Sequence, residues 1–377
     1  MSLKRFLRKV WPSKKPDLVF SLDRPYPLQV LKGESYFSGF LFSPDKHVKE
    51  LIIEKNGHQL RLPLNIKRKE LVAALPSFKE VHQSGFSISL PIRSAKRLRF
   101  LAKIGNKKYE AGSYDLSKLR KEHDLWRQIS RLLAPFSPPP PNLIELTQGI
   151  KDPLAYQESI ATGAYLFLKI LKSKIVETPS TILDFGCGTG RLGLAWWILG
   201  KMGFLKRTYK IYGVDINQVL LSWARHHLPV ELEFIQGNLI PPLPWPDKSF
   251  DLIYCVSVFT HLKLETQELW LEEFARLLHP DGFLLLTLHG PIYASVFFHD
   301  QVKNKERFFA KGYLESHGPE GLNTFGAFHH PNFVRQFFTK KGFKLSAIFL
   351  KGDLGQPFPF RLAFLQDVYI FRRSIKS

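Results

Sequence analysis

The stretch Thr181-Ile-Leu-Asp-Phe-Gly-Cys-Gly-Thr-Gly190 constrains the fold more than any other part of this chain. Ile182, Leu183 and Phe185 read as a short buried strand, and the acid Asp184 stands at its end, just before three alternating glycines, Gly186, Gly188 and Gly190. The segment from Arg191 to Leu199 is apolar and compatible with a helix. Strand, glycine turn and helix form the corner of an α/β sheet that cradles a nucleotide. Glycine lets the backbone approach a ligand that any side chain would push away.

Two ligands compete for such a corner, because Gly188-Thr-Gly190-Arg-Leu-Gly193 is also a literal G-x-G-x-x-G. In a dinucleotide site the pyrophosphate lies over the turn and the helix N-terminus. The carboxylate of Asp184 would repel it. The same carboxylate suits a ligand that brings an ammonium group and a sulfonium and no phosphate, as S-adenosylmethionine does. Asp215, closing Tyr209-Lys-Ile-Tyr-Gly-Val-Asp215, is an acid of the kind that accepts hydrogen bonds from ribose hydroxyls. It serves either ligand, so Asp184 decides.

From Ile182 to Arg373 the motifs occur in a familiar order. Leu232-Glu-Phe-Ile-Gln-Gly-Asn238 reads as the third strand and its turn, and Pro246-Asp-Lys-Ser-Phe-Asp-Leu-Ile-Tyr-Cys-Val-Ser257 as the run into the fourth. Phe259-Thr-His-Leu262 follows, then Leu277-Leu-His-Pro-Asp-Gly-Phe-Leu-Leu-Leu-Thr-Leu288 as helix end, turn and fifth strand. Phe343 to Leu350 and Gln366 to Arg373 read as an antiparallel pair at the sheet edge. In these motifs the chain resembles class I S-adenosylmethionine-dependent methyltransferases. The resemblance implies a Rossmann-like, seven-stranded α/β sheet with helices on both faces. It also implies a cofactor site of Asp184, Phe185, Gly186, Cys187, Gly188, Gly190, Asp215, Ile216, Asn238, Leu239 and Ser257. Asn238 departs from the family, which usually has an acid facing the adenine amino group. An amide oxygen still accepts that hydrogen bond, and the expected consequence is weaker cofactor binding.

The 377 residues suffice for two domains. The two cysteines, Cys187 and Cys255, fall in core-like positions and read as buried thiols. No secretory signal and no bilayer-length apolar run is evident, which points to a cytoplasmic protein. The net charge of +21 is uneven: residues 150–377 hold 26 lysines and arginines against 20 acids, leaving +15 to residues 1–149. Such an excess attracts nucleic acid or an anionic membrane and does not choose between them. The first residues favour the membrane. Leu3, Phe6, Leu7, Val10 and Trp11 fall on one helical face, with Lys4, Arg5, Arg8 and Lys9 on the other. A basic amphipathic tail of this kind, followed by Lys14 and Lys15, fits a peripheral anchor on the inner membrane face, and equally a helix packed on its own protein or a frayed terminus.

The chain divides into this tail (1–20), a β-rich domain (21–115), a helical and proline-rich linker (116–149) and the α/β domain (150–377). Tyr36 to Phe42, Val48 to Glu54, Gln59 to Leu64, Gly85 to Leu90 and Leu98 to Ile104 alternate between turn signals, as the strands of a small β-sandwich do. Asn56-Gly57 is the strongest hairpin turn. Phe37-Ser-Gly-Phe-Leu41, Glu50-Leu-Ile-Ile-Glu-Lys-Asn-Gly57 and Glu70-Leu-Val-Ala-Ala-Leu-Pro76, running on to Ser84-Gly-Phe86, make this segment similar to an immunoglobulin-like accessory domain. Such domains accompany bacterial glycosyltransferases and methyltransferases, which implies docking or spacing and an acceptor from cell-surface glycan or glycolipid synthesis. The prolines from Pro135 to Pro141 mark the linker. After it, Asp152 to Gly163 resembles the helix that covers the cofactor in the same methyltransferases, with Tyr156 and Gly163 as candidate contacts.

Methyl transfer from a sulfonium is an in-line displacement, in which the protein aligns the two ends and excludes water. A hydroxyl acceptor also needs a base, and histidine serves near its ordinary pKa. His261 follows the fourth strand, His289 the fifth, and His329 precedes a helix starting near Pro331, where similar methyltransferases often carry a histidine. Each could equally be structural. Neither His329-His330 nor His226-His227 has acidic or cysteine partners spaced as metal ligands, so no metal is expected. The aromatics Phe297, Phe298, Phe308 and Phe309 suit a core or a grip on the acceptor. A nucleic-acid methyltransferase is the rival reading, weakened because Ile240-Pro-Pro-Leu243 lacks the amide and aromatic of a base-amine motif. An inactive cofactor-binding scaffold and a nicotinamide oxidoreductase complete the alternatives.

Overall fold

The computed structural model describes residues 16–68, 79–298, 301–322, 324–352, 358 and 360–374. The amphipathic tail and the Glu70–Pro76 motif lie outside the described residues. The chain divides into two units, one of residues 1–124, 294–305 and 355–360 and the other of residues 125–293, 306–354 and 361–377.

In the first unit, strands β1 (Val19–Arg24), β2 (Tyr36–Phe42) and β5 (Gly85–Ser89) form a three-stranded antiparallel sheet. β3 (Glu50–Lys55), β4 (His58–Leu62), β6 (Arg97–Ile104) and β7 (Lys107–Asp115) form a four-stranded one. The short helix α1 (Pro27–Leu31) follows β1, and α2 (Leu116–Lys121) follows β7. Five of the seven strands match the alternating segments. β1 and β7 were not among them, since Lys107–Asp115 carries too many exposed polar residues to show a clean alternation. Asn56 and Gly57 have φ of 50° and 83°, the left-handed pair that a tight hairpin demands.

The second unit opens with helices. α3 (His123–Leu133) runs into it, the prolines follow, and α4 (Pro141–Gln148) and α5 (Pro153–Lys172) come next. Local chemistry sets these ends. Gly149 at φ 69° closes α4, and Asp152 caps α5 by accepting from the N–H groups of Leu154 and Ala155. The strands are β8 (Thr181–Phe185), β9 (Lys210–Asp215), β10 (Leu232–Gln236), β11 (Phe250–Cys255) and β12 (Leu278–Leu288). Helices α6 (Arg191–Lys201), α7 (Gln218–His227) and α8 (Leu264–Leu277) alternate with them. The chain continues through α9 (Pro291–Phe297) and α10 (Val302–Lys311), whose residues within 294–305 belong to the first unit, to the short β13 (Tyr313–Glu315) and β14 (Ala327–His329), α11 (Pro331–Lys340), β15 (Phe343–Phe349) and β16 (Asp367–Arg373).

Seven of these strands make one sheet in the order β10-β9-β8-β11-β12-β16-β15. All pair in parallel except β16, which runs antiparallel to both β12 and β15. The expected antiparallel pair is present, with β16 inside the sheet and β15 at its edge. Strand order reverses at β8 and β11. The crevice beyond their carboxyl ends is therefore the switch point at which open α/β sheets bind ligands. Below it, Phe185, Trp270, Phe274, Leu284 and Leu286 pack in one buried core, where each such side chain stabilises the fold by roughly 1.5–3 kcal/mol. No helix among the described residues is long and apolar enough to cross a membrane.

Candidate active site

The glycine turn after β8 is closed on itself. The N–H groups of Gly186 and Cys187 donate to the carbonyl of Val214 at 2.7 and 2.9 Å. Gly190 donates to the Cys187 carbonyl at 2.9 Å, and Gly188 to Oδ2 of Asp215 at 2.7 Å. A pyrophosphate needs free backbone donors at such a turn, and these four are already engaged. Crowding explains the glycines. Gly186 has φ 75°, and a Cβ there would stand 2.2 Å from Cγ2 of Val258. A Cβ on Gly188 would stand 2.8 Å from Cγ2 of Thr147, so α4 presses on the turn from outside. Thr147 had no sequence signal; its proximity depends on the path of the linker.

Asp184 lies beneath this turn, 3% exposed. The sequence suggested a carboxylate open to the ligand. The structure corrects this, because Asp184 points to the face of the sheet that α6 covers, with Oδ2 3.8 Å from where a Cβ on Gly193 would stand. Oδ2 has no hydrogen-bond partner among the described residues. Burial pushes the Asp184 pKa up to about 7, against the opposing pull of the Tyr254 hydroxyl and the Arg191 guanidinium. Phe185 also departs from its expected role. Its ring packs on Trp270 and Phe274 at 4.4 and 5.1 Å between centroids, so only its main chain belongs to the turn. Cys187 is a buried thiol whose pKa burial pushes well up.

Of the two candidates on α5, only Tyr156 reaches the glycine turn. The Tyr156 hydroxyl is 2.7 Å from Oγ1 of Thr189 in the turn, and burial pushes its pKa up to about 12. Gly163 instead faces α6, where a Cβ would stand 2.9 Å from Cδ2 of Leu192. It is a helix-packing glycine.

Asp215 ends β9 with Oδ1 accepting from the Asn217 N–H at 2.8 Å and Oδ2 from Gly188. Each oxygen keeps a further lone pair for a ligand. Beside it, Ile216 and Leu239 are 46% and 38% exposed, apolar side chains displayed from neighbouring strand ends, with Asn238 exposed next to them. The Trp270 indole holds this second turn by donating to the Leu239 carbonyl at 2.8 Å. Gly321 comes over both side chains: a Cβ on it would be 3.3 Å from Cδ1 of Leu239 and 3.7 Å from Cδ1 of Ile216.

At the end of β11, Ser257 adopts φ 62° and donates its N–H to Oγ1 of Thr287 at 2.8 Å. Beyond it the three candidate histidines gather. The rings of His261 and His289 are 6.3 Å apart, and the His329 N–H donates to the His289 carbonyl at 2.8 Å. Their chemistry differs. Nδ1 of His261 is 2.9 Å from the Phe325 carbonyl, which can only accept, so the neutral ring carries its proton on Nδ1 and a lone pair on Nε2. Burial lowers the His261 pKa. His289 is stacked on Tyr293 at 3.8 Å and buried, which holds its pKa well below the usual range. His329 is wholly buried with Nε2 2.9 Å from Oε1 of Gln267, and burial takes its pKa down to about 3. The Gln267 amide donates to the carbonyls of Phe259 and Leu262, which fixes its oxygen toward His329. His329 is therefore a fastening between β14 and α8, and its Nε2 is not open to an acceptor.

The sheet order, the engaged glycine turn and the acid at the end of β9 belong to the part of the chain that known methyltransferases resemble. Residues 183–286 match the family described as methyltransferase domain. Phosphoethanolamine N-methyltransferase of Plasmodium falciparum is 30% identical over 120 residues, 32% of this chain and 42% of that protein. Malonyl-[acyl-carrier protein] O-methyltransferase of Yersinia pestis is 29% identical over 111 residues, 29% of this chain and 37% of that protein. The chain thus spans about two fifths of the length of the curated relatives it matches. A solved SAM-dependent methyltransferase from Methanosarcina mazei is 19% identical, covering 55% of this chain and 98% of its own with a TM-score of 0.42.

The cofactor of this domain is S-adenosylmethionine. The residues present fit it. The N–H groups of Gly186, Cys187, Gly188 and Gly190 are engaged, Oδ2 of the buried Asp184 makes no hydrogen bond among the described residues, and an apolar pair flanks the end of β9.

Proposed function

We propose that this chain transfers the methyl group of S-adenosylmethionine to a hydroxyl acceptor, with His261 taking up the proton. The observation that carries the reading is the engaged glycine turn above the buried Asp184, whose Oδ2 makes no hydrogen bond among the described residues, a pairing that disfavours phosphate and favours a cationic amino-acid moiety. When bound, S-adenosylmethionine supplies a methyl group on a positively charged sulfur that departs as a neutral thioether. Asp215 would accept from the ribose hydroxyls through its remaining lone pairs. Ile216 and Leu239 would flank the adenine, and Asn238 would present its amide oxygen to the adenine amino group. Nε2 of His261 holds the lone pair that accepts the hydroxyl proton. His289, stacked on Tyr293, walls the same region.

The acceptor we favour is a cell-surface glycan or glycolipid precursor. Support comes from the resemblance of the N-terminal segment to accessory domains of that setting, and we read its two antiparallel sheets as an immunoglobulin-like β-sandwich that docks or spaces. The basic tail would place a cytoplasmic enzyme against the inner membrane face. Two relatives are named for a phosphoethanolamine nitrogen and a malonyl carrier-protein oxygen, so the domain type serves acceptors other than nucleic acid in them. The charge of +15 on residues 1–149 keeps RNA as the second reading.

Incubation with methyl-labelled S-adenosylmethionine and either envelope glycan and lipid fractions or total RNA tests the proposal. Label in a glycan or lipid supports it. Label in RNA alone would move the function to the second reading, and label in neither would leave a cofactor-binding scaffold. Co-sedimentation with anionic liposomes, with and without residues 1–16, tests the tail, and equal binding by both forms would remove it from the account.

A further inference from the structure

Gln366 immediately precedes β16 and is buried, far in sequence from anything assigned to the cofactor site. Its amide nitrogen donates to Oγ of Ser257 at 2.6 Å, and its amide oxygen accepts from Oγ1 of Thr287 at 2.6 Å. Thr287 Oγ1 in turn accepts the Ser257 N–H at 2.8 Å. The three residues close a ring of hydrogen bonds. Its directions are fixed, because the Ser257 N–H can only donate and the Gln366 oxygen can only accept. The Ser257 hydroxyl accepts from Gln366, so its own hydrogen is directed out of the ring.

The ring encloses strained backbone. Ser257 has φ 62°, a region that side chains other than glycine adopt at a cost, and Leu365 beside Gln366 has φ 56°. The next residue, Val258, is the one whose Cγ2 would collide with a Cβ on Gly186 at 2.2 Å. The Ser257–Val258 turn is thus the surface on which the first glycine of the cofactor turn rests.

We infer that Gln366 and Thr287 are positioning residues that hold the Ser257–Val258 turn in the shape that receives S-adenosylmethionine and leave the Ser257 hydroxyl free to donate to it. The inference rests on the proposed function. Strand β16 acquires a role through it: the antiparallel insertion beside β12 brings an amide to the back of the switch point.

Calorimetric titration of the full chain with S-adenosylmethionine, alongside thermal melts with and without it, tests the assignment in Thr287→Val, Thr287→Ser and Gln366→Met. Thr287→Val and Gln366→Met are expected to weaken cofactor binding about tenfold each, as loss of a buried hydrogen bond does. The double variant should be no weaker than about twofold below either single one, because both break the same ring. Thr287→Ser keeps the hydroxyl and should stay within about twofold of wild type. Variants that melt earlier yet bind like wild type would overturn the inference, as would Thr287→Ser binding as weakly as Thr287→Val. Should one variant fail to fold, the other decides. Wild-type protein that fails to bind the cofactor would overturn the methyltransferase reading itself, a result distinct from wild-type binding with unaffected variants.

Discussion

Nδ1 of His261 donates to the carbonyl of Phe325 across 2.9 Å, and this one contact separates His261 from the other two histidines of the cluster. The same loop holds its backbone, since Gly321 donates to the His261 carbonyl at 2.9 Å. The loop also touches Ile216 and Leu239 through Gly321. Ile216, Leu239 and the candidate base are thus braced by one segment.

His261→Ala should lower kcat by about 10²–10⁴, the contribution of a positioned general base, while the dissociation constant of S-adenosylmethionine changes little. Single-turnover rates and calorimetry on the same preparation check it. Unchanged turnover would leave alignment alone as the mechanism.

The pH dependence follows from burial. His261 has its pKa lowered, so the neutral, proton-accepting form already prevails at the ordinary histidine pKa and only the acid side of the profile should fall. The rate should therefore rise with pH through an apparent pKa below 6.5 and level off near neutrality. A rate that climbs only above pH 8 would point to another group.

Asp184 makes a separate prediction. With its pKa at about 7, part of the population holds a proton before the cofactor arrives. A cationic ligand favours the ionised form, so affinity should increase as pH rises through about 7, and binding should release protons below it. Titrations in two buffers of different ionisation enthalpy count those protons. Asp184→Asn should bind more weakly and lose the dependence.

Gln267 should matter for stability. Gln267→Leu would strand the carbonyls of Phe259 and Leu262 and the Nε2–H of His329, each costing about 1–3 kcal/mol when buried without a partner. A lowered urea midpoint with an unchanged acid limb of the rate profile is the expected result. Loss of that limb would instead give His329 a part in proton transfer.

The sheet of the second unit was legible because its strands are apolar runs that stop at glycine, acid or proline, as at Phe185-Gly186 and Asp215. The position of β16 inside the sheet and β15 at its edge was not, since two apolar edge strands look alike in sequence. The candidate site residues divide along the same line. Asp215, Ile216 and Leu239 sit on turns whose spacing announces them. Thr147, Gln267, Thr287 and Gln366 act through partners up to 109 residues away, and nothing in local pattern marks them. Asp184 stands out in sequence as an acid closing an apolar strand, yet the alternation of a strand does not say that its face is sealed by α6.

The central claim is that this glycine turn receives a cation and refuses a phosphate. Parallel calorimetric titrations of the full chain with S-adenosylmethionine, its demethylated product and NAD test it most directly. Saturable binding of S-adenosylmethionine and of its thioether product, with none of NAD, is the predicted result. Tight binding of NAD, with S-adenosylmethionine producing no heat and no thermal shift, would contradict it.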